Sequence, residues 1–198
     1  MIQEKVIDIQ NSIGLQDTSD FGNQVKAGRM RKFMDQYVCK IAAVNEMNEK
    51  WDYEIARNPG DSAWPIWKKS AIAQARSGQS IPYYGILNGR IIAEATASLD
   101  CEIVQNSQGL VDEKTAYLSA FRTIEGYRGQ GYFSRLLAFM LEDLKRRGYE
   151  RVTLGVEPRE NENRMIYFHY GFTEYIKMGV EVYPNGEQID VIYYGKEL

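Results

Sequence analysis

The feature that most constrains this 198-residue chain is a glycine pair placed late in it. Gly129 and Gly131 stand in Arg128-Gly129-Gln130-Gly131-Tyr132-Phe133-Ser134, behind a β-type run at about 115–124. The best-marked helical pattern of the chain follows. Phe133, Leu137, Met140 and Leu144 recur at steps of four and three, and Leu136 and Leu141 widen the stripe. Lys145, Arg146 and Arg147 fall in the last turn, where cations suit the helix dipole, and Gly148 supplies a left-handed stop. Small residues let a backbone come close to a ligand. The first turn of a helix adds unpaired N–H groups and partial positive charge. A strand, glycine loop and helix beside Arg128 therefore suit a phosphate or pyrophosphate. The competing reading is a tight turn that needs two glycines for its geometry alone.

Two phosphate-loop motifs fail here. A P-loop requires a Lys followed by Ser or Thr after its second glycine, and none stands there. A dinucleotide fingerprint is approached by Gly129, Gly131 and Ser134, with Glu157 as a ribose partner beyond the next strand. That fold needs several more strand–helix units, whereas residues 132–198 end in a hairpin pattern, so it is excluded. Counting excludes more. A single histidine, His169, rules out histidine triads and multi-histidine metal sites, so no metal is expected. Cys39 and Cys101 lack metal-ligand spacing and read as reduced thiols. A net charge of −3 gives no basic field for nucleic acid. No apolar run approaches the roughly 18–20 residues of a membrane span, and no signal pattern opens the chain. A soluble, cytoplasmic protein is expected, with no membrane or nucleic-acid partner.

The remaining patterns predict one domain over 1–198. Val6 to Ile9 reads as a short strand. Met30, Phe33, Tyr37, Ile41, Val44 and Met47 share a helical stripe, ended by Asn58-Pro59-Gly60-Asp61. Asp61 or Ser62 caps a second helix over about 63–75. Strands at 82–87 and 90–99 flank Asn88-Gly89, the favoured two-residue hairpin turn. Further strands fall at 115–124 and 151–156, a short helix at 161–170, and closing strands at 173–183 and 189–194 around Asn185-Gly186. This predicts a mixed α/β (α+β) fold with a mostly antiparallel central sheet flanked by helices. Val180, Val182, Val191 and Tyr193 make the C-terminal hairpin a candidate homodimer edge.

Arg128-x-x-Gly131 behind a strand resembles the coenzyme A loop of the GNAT acetyltransferase superfamily. Asn161 and Asn163, Ile166-Tyr167 and Gly171-Phe172 are similar to that family's N…LY…GF segment, in the family's order. The likeness covers about 115–195. Phe133 departs from the small residue that ends the family's loop. The Asn-to-Tyr spacing is one residue shorter than the commoner pattern, so Asn161 and Asn163 both qualify, with Asn163 preferred. The resemblance implies the GNAT acyltransferase fold and acetyl-CoA as co-substrate. It implies backbone contacts from Phe121, Arg122 and Thr123 to the pantetheine arm. Amides of Gly129, Gln130, Gly131, Tyr132, Phe133 and Ser134 would surround the pyrophosphate, with Arg128 at the entrance. Tyr167 takes the place of the general acid at the sulfur, and Glu94 or Glu157 is the candidate base. Residues 1–80 would form a variable, helical part shaping the acceptor site, and 81–198 the acetyl-CoA-binding core. Trp64 and Trp67 read either as core or as acceptor wall, and His169 as a surface residue. The implied activity is direct transfer of an acetyl group to a primary amine of a small molecule or protein. The alternative is a non-catalytic acyl-CoA-binding sensor or interaction module.

Overall fold

A computed structural model describes residues 36–198. The elements run β1 (Tyr37–Ile41), α1 (Val44–Arg57), α2 (Ala63–Ser77), β2 (Ser80–Leu87), β3 (Arg90–Ser98), β4 (Thr115–Thr123), α3 (Tyr132–Arg146), β5 (Arg151–Val156), α4 (Asn161–His169), β6 (Glu174–Val182) and β7 (Gln188–Glu197). The strands form one sheet in the order β1-β2-β3-β4-β5-β7-β6. Every neighbouring pair is antiparallel except β4 and β5.

Strand alternation sorts side chains to the two faces. Ala93, Ala95 and Ala97 of β3, and Val152, Leu154 and Val156 of β5, join Leu136, Leu137, Met140 and Leu144 of α3 and Ile166 of α4 in the main core. Small β3 residues let α3 lie close against the sheet. Its apolar stripe is buried as its spacing predicts, and Gly148 at φ 94° closes it. Tyr84, from the opposite face, packs with Met47 of α1 and Ile72 of α2. The helices thus sandwich the sheet, α1 and α2 on one side and α3 and α4 on the other. Asn88 and Gly89, at φ 50° and 82°, make the predicted hairpin turn.

Two expectations are corrected and one open alternative is decided. The stripe from Met30 to Met47 predicts one helix, but Tyr37–Ile41 is a strand and helix α1 opens at Val44. Tyr37, Val38 and Ile41 suit a pleated surface, and the full ladder from Tyr37–Leu87 to Ile41–Tyr83 outweighs a weak helical period. Met30, Phe33 and the strand expected at Val6 to Ile9 lie outside the described residues. At the second helix, Asp61 takes the cap: its Oδ1 accepts the Ala63 amide at 2.9 Å, while Ser62 makes no side-chain cap bond. In the C-terminal hairpin, Val191 and Tyr193 are buried on β7, which lies between β5 and β6, so neither stands at an edge. Val180 and Val182 of the edge strand β6 are exposed, with Tyr175 and Met178. That edge is itself occupied. Gln105 accepts the Val182 amide at 2.8 Å and donates to the Val182 carbonyl at 3.0 Å, and Asn106 donates to the Val180 carbonyl at 2.9 Å.

Tyr37 ties β1 to the rest. Its ring lies against Gly85, where a Cβ would come 2.0 Å from the hydroxyl oxygen, and that hydroxyl donates to the Tyr132 carbonyl at 2.9 Å. Gly85→Ala is expected to cost about 1–3 kcal/mol through overpacking, measured by urea unfolding.

Candidate active site

The site starts where two strands part. β4 and β5 pair in parallel from Thr115–Arg151 to Leu118–Leu154, and there the ladder stops. β4 runs on to Thr123 and β5 to Val156 without pairing. The cause lies on the other side of β4. Ser119 pairs with Thr96 and Arg122 with Glu94, so Ala120 and Phe121 together oppose the single residue Ala95. Ala120 sits at φ 54°, a left-handed conformation that turns the strand. This is a β-bulge, which bends its strand and breaks the ladder locally. Backbone groups of β4 beyond Leu118 are left facing the gap.

The glycine loop closes one end of the gap. Gly129 and Gly131 adopt φ 71° and 79° and deliver the chain into α3. None of the amides from Gly129 to Ser134 donates a hydrogen bond among the described residues; the first donor is Arg135, to the Gly131 carbonyl. Six consecutive unpaired N–H groups at a helix start form an anion-binding concavity. A Cβ at Gly131 would meet nothing within 4 Å, so space lies open over the loop. Arg128 donates from Nε to the Thr123 carbonyl at 3.1 Å and so joins loop to strand. The Ser134 and Tyr170 hydroxyls are hydrogen-bonded to each other. Phe133 faces inward instead of crowding the loop, its ring 5.5 Å from Phe121 and 5.6 Å from Tyr170.

Among the described residues two buried polar side-chain atoms at the gap have no partner: the Thr123 hydroxyl and the Asn163 carboxamide oxygen, in residues 3% and 8% exposed. Asn163 donates its amide to Glu160 at 2.8 Å, whereas Asn161 is exposed and bonded to Arg164. Tyr167, 8% exposed, packs its ring 5.8 Å from Phe121, and its hydroxyl makes no hydrogen bond among the described residues. Burial, with the nearby Glu160 charge, raises its phenol above the ordinary range. The hydroxyl therefore stays protonated at neutral pH.

The two candidate carboxylates lie across the sheet from Tyr167. Glu94 is held at both oxygens, by Lys50 of α1 at 2.7 Å and by Arg122 Nε at 2.8 Å. Arg122 also reaches Glu54 of α1 at 2.5 Å. These four charges floor a cavity of about 230 Å³, walled by Tyr53, Ile91, Ile92 and Ile124 with Glu49 and Arg90 at its sides. Glu157 follows β5. Arg159 bonds one of its oxygens at 2.6 Å, and the other has no partner among the described residues. Burial, then the Glu181 and Glu157 charges, raises the phenol of Tyr183, whose ring meets Trp67 of α2. There Trp51, Trp64, Trp67 and Tyr183 form an edge-to-face row with ring centres 6.0, 5.6 and 5.9 Å apart. His169 is exposed against Tyr170. Among the described residues no three His, Cys, Asp or Glu side chains gather as a metal-holding group, and no helix is long and apolar enough to cross a membrane.

The sequence reading misses Lys50 and Glu54. The available signal is their opposite charge at i, i+4 on α1, which puts both on one helix face. It also leaves unstated that the Thr123 hydroxyl is orphaned, which only the folded path of β4 reveals.

Comparison with known proteins places this geometry in a family. The model of the acetyltransferase (GNAT) family matches residues 45–172, and the chain belongs to that family. Among curated proteins none matches the sequence significantly. Solved structures share the fold at low identity. A ribosomal-protein-alanine N-acetyltransferase from Brucella melitensis is 15% identical, with a TM-score of 0.59 over 81% of this chain and 99% of its own. A putative acetyltransferase from Salmonella typhimurium with its cofactor acetyl-CoA is 16% identical, with a TM-score of 0.58 over 82% and 94%. A probable acetyltransferase from Staphylococcus epidermidis is 12% identical, with a TM-score of 0.62 over 82% and 99%.

An orphaned buried hydroxyl is a stability cost in the free protein. Thr123→Val, an isosteric change, is expected to stabilise the unliganded protein by about 1 kcal/mol in urea unfolding.

Proposed function

We propose that this protein moves an acetyl group from acetyl-CoA to a primary amine by direct attack, across the gap between β4 and β5. The observation that carries the reading is the run of six unpaired amides from Gly129 to Ser134 beside that gap. Acetyl-CoA fits the residues present. Its pyrophosphate matches the unpaired amides at the start of α3. Its amide-bearing arm matches the side of β4 at Phe121, Arg122 and Thr123 that has lost its β5 neighbour. The orphaned Thr123 hydroxyl and Asn163 carbonyl oxygen offer it two further polar partners. When bound, acetyl-CoA supplies an activated thioester.

The chain's own residues then divide the proton work between the two faces of the sheet. Tyr167, protonated and without a partner, donates toward the leaving sulfur. A thiol of pKa near 8.5 needs only a weak acid. An alkylammonium with a pKa of about 10 must lose a proton before it attacks. Glu157 keeps one oxygen outside any ion pair, whereas Glu94 keeps none, so Glu157 or a water it holds is the base. The row from Trp51 to Tyr183 borders the acceptor's approach. The acceptor is a small-molecule or protein amine, and the part of the chain before residue 81 shapes its pocket within one domain of 1–198. We assign the protein to the cytoplasm, without nucleic-acid or membrane partners, and with self-association through the C-terminal hairpin face.

One observation favours a second reading. Both candidate carboxylates carry an arginine partner. A module that binds acyl-CoA without transferring the acyl group would fit that arrangement.

Calorimetry with acetyl-CoA and thiol release over an amine panel separate the readings. Binding with turnover supports transfer, binding without turnover supports the sensor, and no binding at millimolar acetyl-CoA overturns both. Gly131→Val is expected to abolish acetyl-CoA binding, because its side chain fills the open space over the loop. Tyr167→Phe is expected to lower kcat about 10²-fold with KM for acetyl-CoA little changed. The raised phenol of Tyr167 remains the neutral donor, so this loss should stay constant between about pH 6 and 9. An unchanged kcat would remove Tyr167 from the acid role.

A further inference from the structure

The buried charges between α1 and the sheet have no part in the proton transfers above, yet they sit on the strand that forms the gap. β4 loses its β5 partner after Leu118 and is bulged at Ala120 and Phe121. β3 is the strand that pairs with its last residues, through Glu94–Arg122 and Ala93–Thr123, and side chains of α1 and Arg128 also reach them. Arg122 is central. It faces Glu94 directly in the ladder and bonds it through Nε at 2.8 Å, and it reaches Glu54 of α1 through Nη2 at 2.5 Å. Lys50, one helical turn before Glu54, takes the other oxygen of Glu94 at 2.7 Å and lies over the Trp51 ring at 3.8 Å. Lys50 and Glu54 are 8% and 7% exposed, with Glu94 and Arg122 half-buried beside them, so this is a largely buried, charge-balanced set. Buried ion pairs often add little net stability. Their better-attested use is to fix one arrangement, and removing one partner strands the others.

We infer that Glu54 is a positioning residue. Acting through Arg122, it holds the end of β4 that lacks a β5 partner in the bent path that presents the Phe121–Thr123 backbone to the acetyl-CoA arm. Glu54 touches no reacting atom in this role. Its α1 backbone is rigid, and its carboxylate fixes the guanidinium against the strand from which the bulge has removed a neighbour. Lys50 completes the fixture by stopping Glu94 from swinging away with Arg122. The inference rests on the proposed acetyl-CoA site. It predicts that a charge on one face of the sheet governs affinity for a ligand held on the other.

Glu54→Gln keeps the shape and removes the charge. The test compares it with wild type, with Glu54→Asp, and with Glu46→Gln. Glu46 lies near the other end of α1, where it pairs with Lys40 and accepts the Ala43 amide. Calorimetric acetyl-CoA affinity, KM and kcat, melting temperature, and hydrogen exchange at the Ile124 amide, which is bonded to the Ile92 carbonyl, are read for each. Glu54→Gln should weaken acetyl-CoA binding about tenfold and raise KM alike, with kcat within about a factor of two. Exchange at Ile124 should quicken, and Glu54→Asp should fall between Gln and wild type. Glu46→Gln should lower the melting temperature without changing acetyl-CoA affinity. Wild-type affinity in Glu54→Gln overturns the inference, as does an equal loss in Glu46→Gln, which would make the effect one of general stability. Failure of wild type itself to bind acetyl-CoA overturns the acetyl-transfer reading and the inference with it.

Discussion

One ladder that stops early organises this protein. β4 and β5 are its only parallel pair in the described sheet, and they hold together for just four residue pairs before the bulge at Ala120 bends β4 away. A sheet normally avoids leaving backbone groups unpaired in its middle, because each costs free energy unless water or a ligand satisfies it. Here the opening coincides with the unpaired amides of the α3 start, with an orphaned hydroxyl on β4 and with an orphaned carboxamide oxygen on α4. Three elements contribute unsatisfied groups to one place. Chance defects scatter; these converge.

The opening also divides the chemistry by face. On the α3–α4 side the groups are neutral, aromatic and buried, as Phe121, Phe133, Tyr167 and Phe172 illustrate. On the α1–α2 side they are charged or bounded by tryptophans. A thioester is uncharged and suits the first side. An amine that arrives protonated needs carboxylates to receive it and suits the second. Only the gap joins the two, so it sets where they meet.

Much of this was legible in the residues. The α3 stripe, the Asn88-Gly89 turn and the strand–loop–helix junction are local patterns with strong physical causes, and each appears at its expected place. Local pattern failed at β1. Tyr37, Val38 and Ile41 carry both a faint helical period and good strand propensity, and the decision belongs to β2, more than 40 residues further on. The site divides in the same way. Gly129 and Gly131 mark a strand-to-helix loop on their own, and a ligand loop only together with Arg128 and the later Asn, Tyr and Gly-Phe positions. The partnership of Glu94 with Arg122 and of Arg122 with Glu54 depends on the β3–β4 register and on where α1 docks, and no local spacing contains either. Glu94 is legible as a candidate carboxylate, while the ammonium of Lys50 that takes its second oxygen is contained in no local pattern.

The capped edge of β6 bears on how copies of this protein can meet. Gln105 supplies Val182 with both halves of a strand's hydrogen bonding, and Asn106 takes the Val180 carbonyl, so two side chains act there as a one-residue mimic of an eighth strand. Tyr175, Met178, Val180 and Val182 remain open to solvent on the same strand. Continuing the sheet across this edge would require the loop to surrender its bonds first. Association through this face is thereby steered toward packing of side chains flat against one another. Such contacts form and separate without unzipping backbone.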